Sequence, residues 1–384
     1  MKEKTKKQLK NMKTLISLIT FIFLLSLCSC KKEIKITKEE FITIQDSLCI
    51  DIDYPYISNY SKFSVYTQQD TLFLIAYNHL TNSIDFINLS SCKMSHSLQL
   101  AKEGENMVSN ITAIHHIDSG ILIKELFTLK QVSDKGEVIM NMPIHKILDS
   151  TNNLYSICNK GVIISGYDNI CYNKEQSRII IPLIPLDDGT LENKDMGCEV
   201  DLNNQQYSFL KMVYPNDYKK MERLQGGYFI PHFSVMDERH IIYNFYGDSR
   251  FWIYDIQTNK TTELNMPSNY TPNIVDYSKL PEIQKDLVKE EYKSLRFREI
   301  HYIPELHYFI RIHYAPKEKM SSKGTRKYLM LMSEDKQIMK EFILPLSFDG
   351  RYFIFNTNIY FFIRTANPDN EIKLAKINLE PLCI

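Results

Sequence analysis

The chain has 384 residues, with 46 basic and 46 acidic side chains and a formal net charge of zero. Its hydrophobic share of 44% is that of a globular protein, and the length allows one large all-β domain or two smaller ones. No basic excess is present, which excludes the electrostatic footprint of a nucleic-acid-binding protein.

The first thirty residues divide into three zones. Lys2, Lys4, Lys6, Lys7, Lys10 and Lys13 form a basic segment, Leu15 to Leu27 an apolar one, and Cys28-Ser29-Cys30 follows. The apolar run is too short for a bilayer-spanning helix, which needs roughly 20 residues, and reads as the core of an export signal. Leu27-Cys28-Ser29-Cys30 resembles the lipobox of bacterial lipoproteins. That resemblance implies a diacylglycerol on the Cys30 sulfur, cleavage before it and an acylated new N-terminus. Residues 1–29 are then a signal peptide, and acyl chains in pairs or threes give stable anchoring. Met12-Lys13-Thr14 offers an alternative start. Lys31 is not the Asp of inner-membrane retention, so the outer membrane is the expected location, with the exposed leaflet open.

Residues 1–30 hold six of the 46 basic and one of the 46 acidic side chains, leaving 40 and 45 and a net charge of −5. The exported part keeps Cys49, Cys92, Cys158, Cys171, Cys198 and Cys383 besides Cys30. None has paired C-x-x-C spacing. Isolated small hydrophobes on strands are one reading. Disulfides Cys49–Cys383 and Cys158–Cys171 are the other, since an exported chain meets oxidising conditions.

Residues 30–40 read as a tether, and 41–384 as a single β-propeller domain. Thr71 to Tyr77 is an apolar run of strand formers, expected innermost; Asn78 to Asn82 is a turn; Ser83 to Leu89 and Met94 to Leu100 follow as strands. The unit recurs at His240 to Tyr246, Phe251 to Ile256 and Thr261 to Met266. It recurs again at Arg351 to Phe355, Ile359 to Arg364 and Ile372 to Leu379. Fainter copies start near Gly120, Gly161 and Tyr328. Radial repetition of such units predicts an all-β fold, a six-bladed β-propeller, with seven blades as the alternative. Two β-sandwiches would also fit, but no Pro/Gly/Ser-rich linker divides the chain. Ring closure is expected from Phe41 to Ile44 or Leu48 to Ile52 pairing beside Ile372 to Leu379. Lys279 to Ser294 breaks the pattern as an amphipathic helical insertion, with Ser278 as cap and Pro281 in the first turn. Asn216 to Leu224 suggests a weaker helix.

These features resemble a family of bacterial lipoproteins of unknown function with six-bladed, TolB-like propeller folds. Besides the lipobox, the likeness rests on Leu98-Gln-Leu-Ala-Lys-Glu-Gly-Glu-Asn-Met-Val108. It rests also on Phe297-Arg298-Glu299-Ile300 with Tyr308-Phe309-Ile310-Arg311. Glu105 stands where the family pattern has Pro. The resemblance implies a fold and a location and no reaction, so it brings no catalytic residues.

Metalloprotease, serine-hydrolase, phosphate-loop and dinucleotide motifs are missing from the sequence, and no cofactor or metal site is expected. His115-His116 sit on opposite faces of any strand. His301, His307 and His313 are separated by a turn at Pro304 and read as core or surface histidines. Asp51 and Asp53 read as a solvated face, Asp187-Asp188-Gly189 as a turn, and Trp252 as core. Propellers bind ligands where loops converge at the channel mouth. Polar residues beside inner strands are therefore the candidates: Glu103, Asn106, His232 and Arg298, each with a turn or blade-to-blade role as the competing reading. The functional expectation is a membrane-anchored binding or protein-interaction module for a glycan, peptide or protein. The alternatives are a propeller-type carbohydrate-active enzyme and a periplasmic sensor or assembly scaffold.

Overall fold

The computed structural model describes residues 40–42, 44, 46–51, 60–144, 146–147, 155–156, 171–185, 195–219, 230–276, 295–316, 325–364 and 371–383. Cys30, Cys158, Asp53, Asp187, Asp188, the expected helix at 279–294 and the repeat near Gly161 lie outside them. No helix of the described residues is long and apolar enough to cross a membrane.

Among the described residues, six antiparallel blades of four strands follow one another along the chain, the sixth joined edge to edge with the first in one eight-stranded sheet, and a short pair, Tyr155–Ser156 with Ile184–Pro185, stands apart. Blade 1 comprises Phe63–Gln68, Thr71–Asn78, Ser83–Asn88 and Lys93–Gln99. Blade 2 comprises Ala113–Ile117, Gly120–Lys124, Thr128–Val132 and Val138–Pro143. Blade 3 is Cys171–Asn173, Arg178–Pro182, Asp195–Asp201 and Gln206–Val213, and blade 4 is His232–Val235, His240–Asn244, Arg250–Asp255 and Lys260–Asn265. Blade 5 is Arg296–Ile303, Tyr308–Tyr314, Lys327–Ser333 and Met339–Ile343. Blade 6 takes Phe348–Phe355, Asn358–Ile363 and Glu371–Asn378 from the C-terminal end and Asp46–Asp51 from the other.

That last strand closes the ring. Asp46–Asp51 runs antiparallel to Glu371–Asn378, with Ile50 opposite Ile372 and Leu48 opposite Leu374, the second of the two closures expected from the sequence. Phe41 instead pairs in parallel with Ile343 at the outer edge of blade 5. A single parallel pairing, Asp51 with Lys93, ties blade 6 to blade 1.

Strand periodicity explains why the core lies between blades. Neighbouring residues on a strand point to opposite faces. Leu74 and Ala76 therefore pack with Phe353, Phe362 and Leu374 of blade 6, while Ile75 packs with Ile114, Ile121 and Ile123 of blade 2. Leu122 and Leu129 meet Ile179 and Ile181 of blade 3. Met196 and Met212, Tyr243 and Trp252, then Phe297 and Phe309 continue through blades 3, 4 and 5. Ile310 and Ile312 meet Phe348 and Phe361 to complete the circle. Each such Leu, Ile, Phe or Met side chain contributes roughly 1.5–3 kcal/mol by leaving water, and each cluster draws its members from adjacent blades.

One sequence expectation is corrected. Thr71–Asn78 is the second strand of its blade, as is His240–Asn244; the first strands are the less apolar Phe63–Gln68 and His232–Val235. First strands lie against the first strands of neighbouring blades and so line the axis. A strand there needs no continuous apolar run, which is why the pattern missed it. The expected helix at 216–224 is described only as the single turn Asn216–Lys219.

Candidate functional site

His232 opens the first strand of blade 4, and its cross-strand partner is Asn244 at the end of the second strand. Directly opposed residues of an antiparallel pair carry their side chains side by side. The His232 ring stacks on Tyr246, with centroids 3.8 Å apart and an interplanar angle of 21°. Asn244 is fully buried and donates from Nδ2 to the Arg298 carbonyl at 3.0 Å, crossing to blade 5.

The strand it reaches is irregular. Phe297 pairs with His313 and Ile300 with Arg311, so two residues, Arg298 and Glu299, face one, Ile312. Such a β-bulge adds a residue, breaks the alternation and re-aims side chains. Two further bonds join that of Asn244 in holding the bulge: Phe297 N donates to the Tyr246 carbonyl at 2.7 Å, and Ser234 Oγ donates to the Ile300 carbonyl. The consequence is an ion pair between adjacent residues, with Arg298 Nε 3.5 Å from Glu299 Oε2. Arg298 also lies over the Tyr246 ring, 5.3 Å from its centroid. His301, two residues beyond Glu299, sits with its Nε2 3.5 Å from the Tyr352 hydroxyl on the first strand of blade 6.

Electrostatics follow from burial. Desolvation acts to raise the Glu299 carboxyl, but Arg298, His301 and His232 outweigh it and hold it below the ordinary glutamate value. Desolvation lowers His232 to about 4, with Arg298 pushing the same way and Glu299 opposing. His301 is lowered for the same reasons in the same order. At neutral pH the group is therefore one arginine cation, one carboxylate and two neutral imidazoles. Its accessible parts are Glu299, whose side chain keeps 12% exposure, and His301; Arg298 keeps only 1%.

His232 and Arg298, both singled out from sequence, are thus in one site. Glu103 and Asn106 are not. They lie in the turn between blades 1 and 2, where Asn106 Oδ1 accepts from Val138 N at 2.9 Å and Glu103 is exposed. Asn244, Tyr246, Glu299, His301 and Tyr352 were missed as site residues. A signal for the bulge does exist: Phe297-Arg298-Glu299-Ile300 spaces its apolar residues three apart, which a regular strand cannot place on one face.

The remaining candidates disperse. His116 stacks on Tyr66 of blade 1 at 3.6 Å, and His115 turns to Tyr172 of blade 3 at 6.1 Å. A turn covers Pro304 to His307, leaving His307 exposed beside Glu334 and His313 buried. Among the described residues no three His, Cys, Asp or Glu are placed to hold a metal ion. Cys49 and Cys383 are free thiols, Cys49 exposed on the closing strand and Cys383 packed against the core between blades 5 and 6; the expected Cys158–Cys171 pair lies outside the described residues through Cys158. The expected Cys49–Cys383 bridge is therefore not formed in this structure.

A family model for a domain of unknown function (DUF4221) matches residues 39–342. No curated protein matches the chain. Among solved structures, a DUF4221 member from Bacteroides vulgatus is similar at TM-score 0.72 and 14% identity, over 88% of this chain and 99% of that one. A candidate exported protein from Bacteroides fragilis is similar at TM-score 0.55 and 9% identity, over 87% and 94%. At such identities the likeness is one of fold.

Proposed function

The chain belongs to DUF4221, a domain family of unknown function, and we propose that it serves as a binding or interaction module of the cell envelope. The observation that carries the reading is the bulged first strand of blade 5. It places Arg298 and Glu299 together at the rim where first strands begin and second strands end, against His232 and Asn244 of blade 4. A bulge pinned by bonds from the neighbouring blade is a built feature, and rims of this kind carry function on rigid scaffolds.

The anchoring half of the proposal rests on the lipobox. Cys30 carries the acyl chains, residues 31–40 form the tether, and the outer membrane is the location. Labelled palmitate entering the wild-type chain but not Cys30→Ala tests this. Equal labelling of both removes it.

The binding half is tested with photo-crosslinking residues in intact cells. Placed at His301 or Glu299 on the bulged strand they should capture an envelope component, and placed at Ile139 on an outer strand they should not. Capture at Ile139 alone would overturn the reading. One observation favours a second reading, a propeller-type carbohydrate-active enzyme: the Tyr352 hydroxyl and His301 Nε2 are 3.5 Å apart, within a proton-transfer arrangement that tightens on substrate binding. Turnover of a polysaccharide lost in Tyr352→Phe would establish it.

A further inference from the structure

We infer that one end of the ring rests on a lipid bilayer through exposed apolar side chains, an orientation that relies on the anchoring at Cys30 proposed above. In a four-stranded meander the turn between strands two and three and the segment leaving strand four lie at one end, and the other turns lie at the opposite end. The first of these ends collects exposed apolar residues from around the ring. Leu80 tips the turn between strands two and three of blade 1, Phe127 tips that of blade 2, and Met107 lies in the connection between the two blades. Val213 ends the fourth strand of blade 3, and Ile274, between blades 4 and 5, pairs with Asp248 of the blade 4 turn. Phe41 pairs with Ile343, the last residue of the fourth strand of blade 5. These side chains keep between 41% and 68% exposure. Among the described residues, the turns of the opposite end hold one exposed large apolar side chain, Ile338. Single exposed apolar residues are ordinary on any surface; segregation to one end is not.

The tips are held in place from within. Leu80 N and Thr81 N donate to Asn78 Oδ1 at 3.1 and 3.2 Å. The Phe127 turn is fixed by buried Glu125, which accepts from Ser109 N at 2.7 Å and Lys130 Nζ at 3.0 Å. Lys130 Nζ also donates to the Met107 carbonyl at 2.6 Å. Beside Ile274, Val275 N donates to the Gly247 carbonyl at 2.8 Å. Apolar groups fixed in water regain free energy when an apolar phase covers them.

Their placement selects a plane. The tips come from blades 1, 2, 3 and 5 and from the connection between blades 4 and 5, so a compact partner covers one or two of them, whereas a flat one covers all. The chain itself brings a plane near. The stretch from Cys30 to Glu40 spans at most about 35 Å when fully extended, and Glu40 joins the body opposite Phe342, at the end that carries the tips. The opposite end is built of polar turns such as Asp134-Lys135-Gly136-Glu137 and Asp237-Glu238-Arg239. Exposed charges at the tip end carry both signs, Lys102 and Lys146 with Glu103 and Glu105, which suits a headgroup layer and selects neither sign of lipid. Tips this shallow orient a body that acyl chains hold.

The test is fluorescence quenching by brominated lipid. The acylated chain is placed in vesicles of phosphatidylethanolamine and phosphatidylglycerol, and one Trp is introduced at a time. Trp252, the sole native Trp, is buried and gives the background. Phe127→Trp and Ile274→Trp should lose emission beyond that background, and Ile338→Trp should not. Adding Leu80→Asp and Met107→Asp, both at exposed positions, should reduce the quenching of Phe127→Trp. Equal quenching of Ile338→Trp, or none of Phe127→Trp and Ile274→Trp, would overturn the inference. If palmitate labelling shows Cys30 unacylated, residues 31–384 are held instead by N-terminal histidines on a nickel-chelating lipid and the same tryptophans are read. Loss of the anchor and loss of the bilayer contact are thereby told apart. A photo-crosslinker at Phe127 that captures a protein while the tips stay unquenched gives this end to a protein partner and overturns the inference as well.

Discussion

Two arginines of blade 5, Arg298 and Arg311, are almost wholly buried on adjacent strands, and their surroundings differ. Arg311, on the second strand, donates from its guanidinium to the Ser249 carbonyl at 2.9 Å and the Met266 carbonyl at 2.6 Å, both in blade 4. It lies 4.3 Å from the Phe297 centroid. Arg298, on the first strand, meets the side chain of its own neighbour, Glu299, at 3.5 Å. Backbone carbonyls cannot move away or change charge, so Arg311 is a fixed clamp. A carboxylate can rotate, protonate or accept from a ligand, so the Arg298 side of blade 5 keeps chemical freedom that the Arg311 side lacks.

The clamp carries its own cost. Burial lowers the Arg311 guanidinium to about 9, with Asp248 and Glu341 acting against that fall. Burial and then the Arg311 charge push His313 well below an ordinary histidine. His313 is therefore neutral at pH 7, and its approach to Glu341 at 3.4 Å is not an ion pair at that pH. Glu341 is instead held by Ser268 Oγ at 2.6 Å and Asn269 N at 2.8 Å, a link from blade 5 to the segment after blade 4.

The largest expected effect breaks the comparison on the clamp side. Arg311→Met takes this donor from the buried Met266 carbonyl and leaves the Ser249 carbonyl only its bond from Met266 N; it should cost about 3 kcal/mol or more in urea unfolding. A loss under about 1 kcal/mol would mean that packing around Phe297 holds the blades without it.

Acid comes next. His232 has a folded value of about 4 against about 6.5 unfolded. Between those values the unfolded chain binds the proton and the folded chain does not. Stability is therefore fully present above the unfolded value and is lost as pH falls toward the folded one, on the order of 3 kcal/mol for this group. His301 and His313 shift in the same direction and add to the slope. Urea midpoints measured at falling pH should drop, and less steeply in His232→Phe; parallel slopes would contradict the burial argument.

Smaller effects sharpen the picture. Asn244→Ala removes one bond between blades 4 and 5 and should cost about 1 kcal/mol, read from the same denaturation curve. Glu103→Ala, on an exposed turn remote from both arginines, should stay within about 0.5 kcal/mol. A larger loss would show that the blade 1–2 turn carries load that its exposure does not suggest.

Much of the ring was legible in the sequence because second strands are buried and read as apolar runs, as in Thr71–Asn78 and His240–Asn244. The first strands were harder. Those near the axis hold residues such as His115, His116, Arg298 and Glu299, whose polarity masks the alternation. The closing strand was legible because Leu48 and Ile50 alternate. The candidate site was half legible. His232 and Arg298 could be chosen as polar residues near inner strands, but Asn244 is far from Arg298 in sequence, and only folding brings its amide to that carbonyl. Glu299 escaped because the bulge that turns it inward is a property of register, not of composition.

The comparison between the two arginines is tested most directly on the histidines beside them. Nitrogen chemical shifts of His232 and His313 are to be followed in the isotope-labelled chain as the pH is lowered from 7. Burial on both sides of the comparison predicts that both rings stay neutral through about 6.5, with His232 taking its proton only near 4. Protonation of either ring near the ordinary histidine value of about 6.5 in the folded chain would contradict the account.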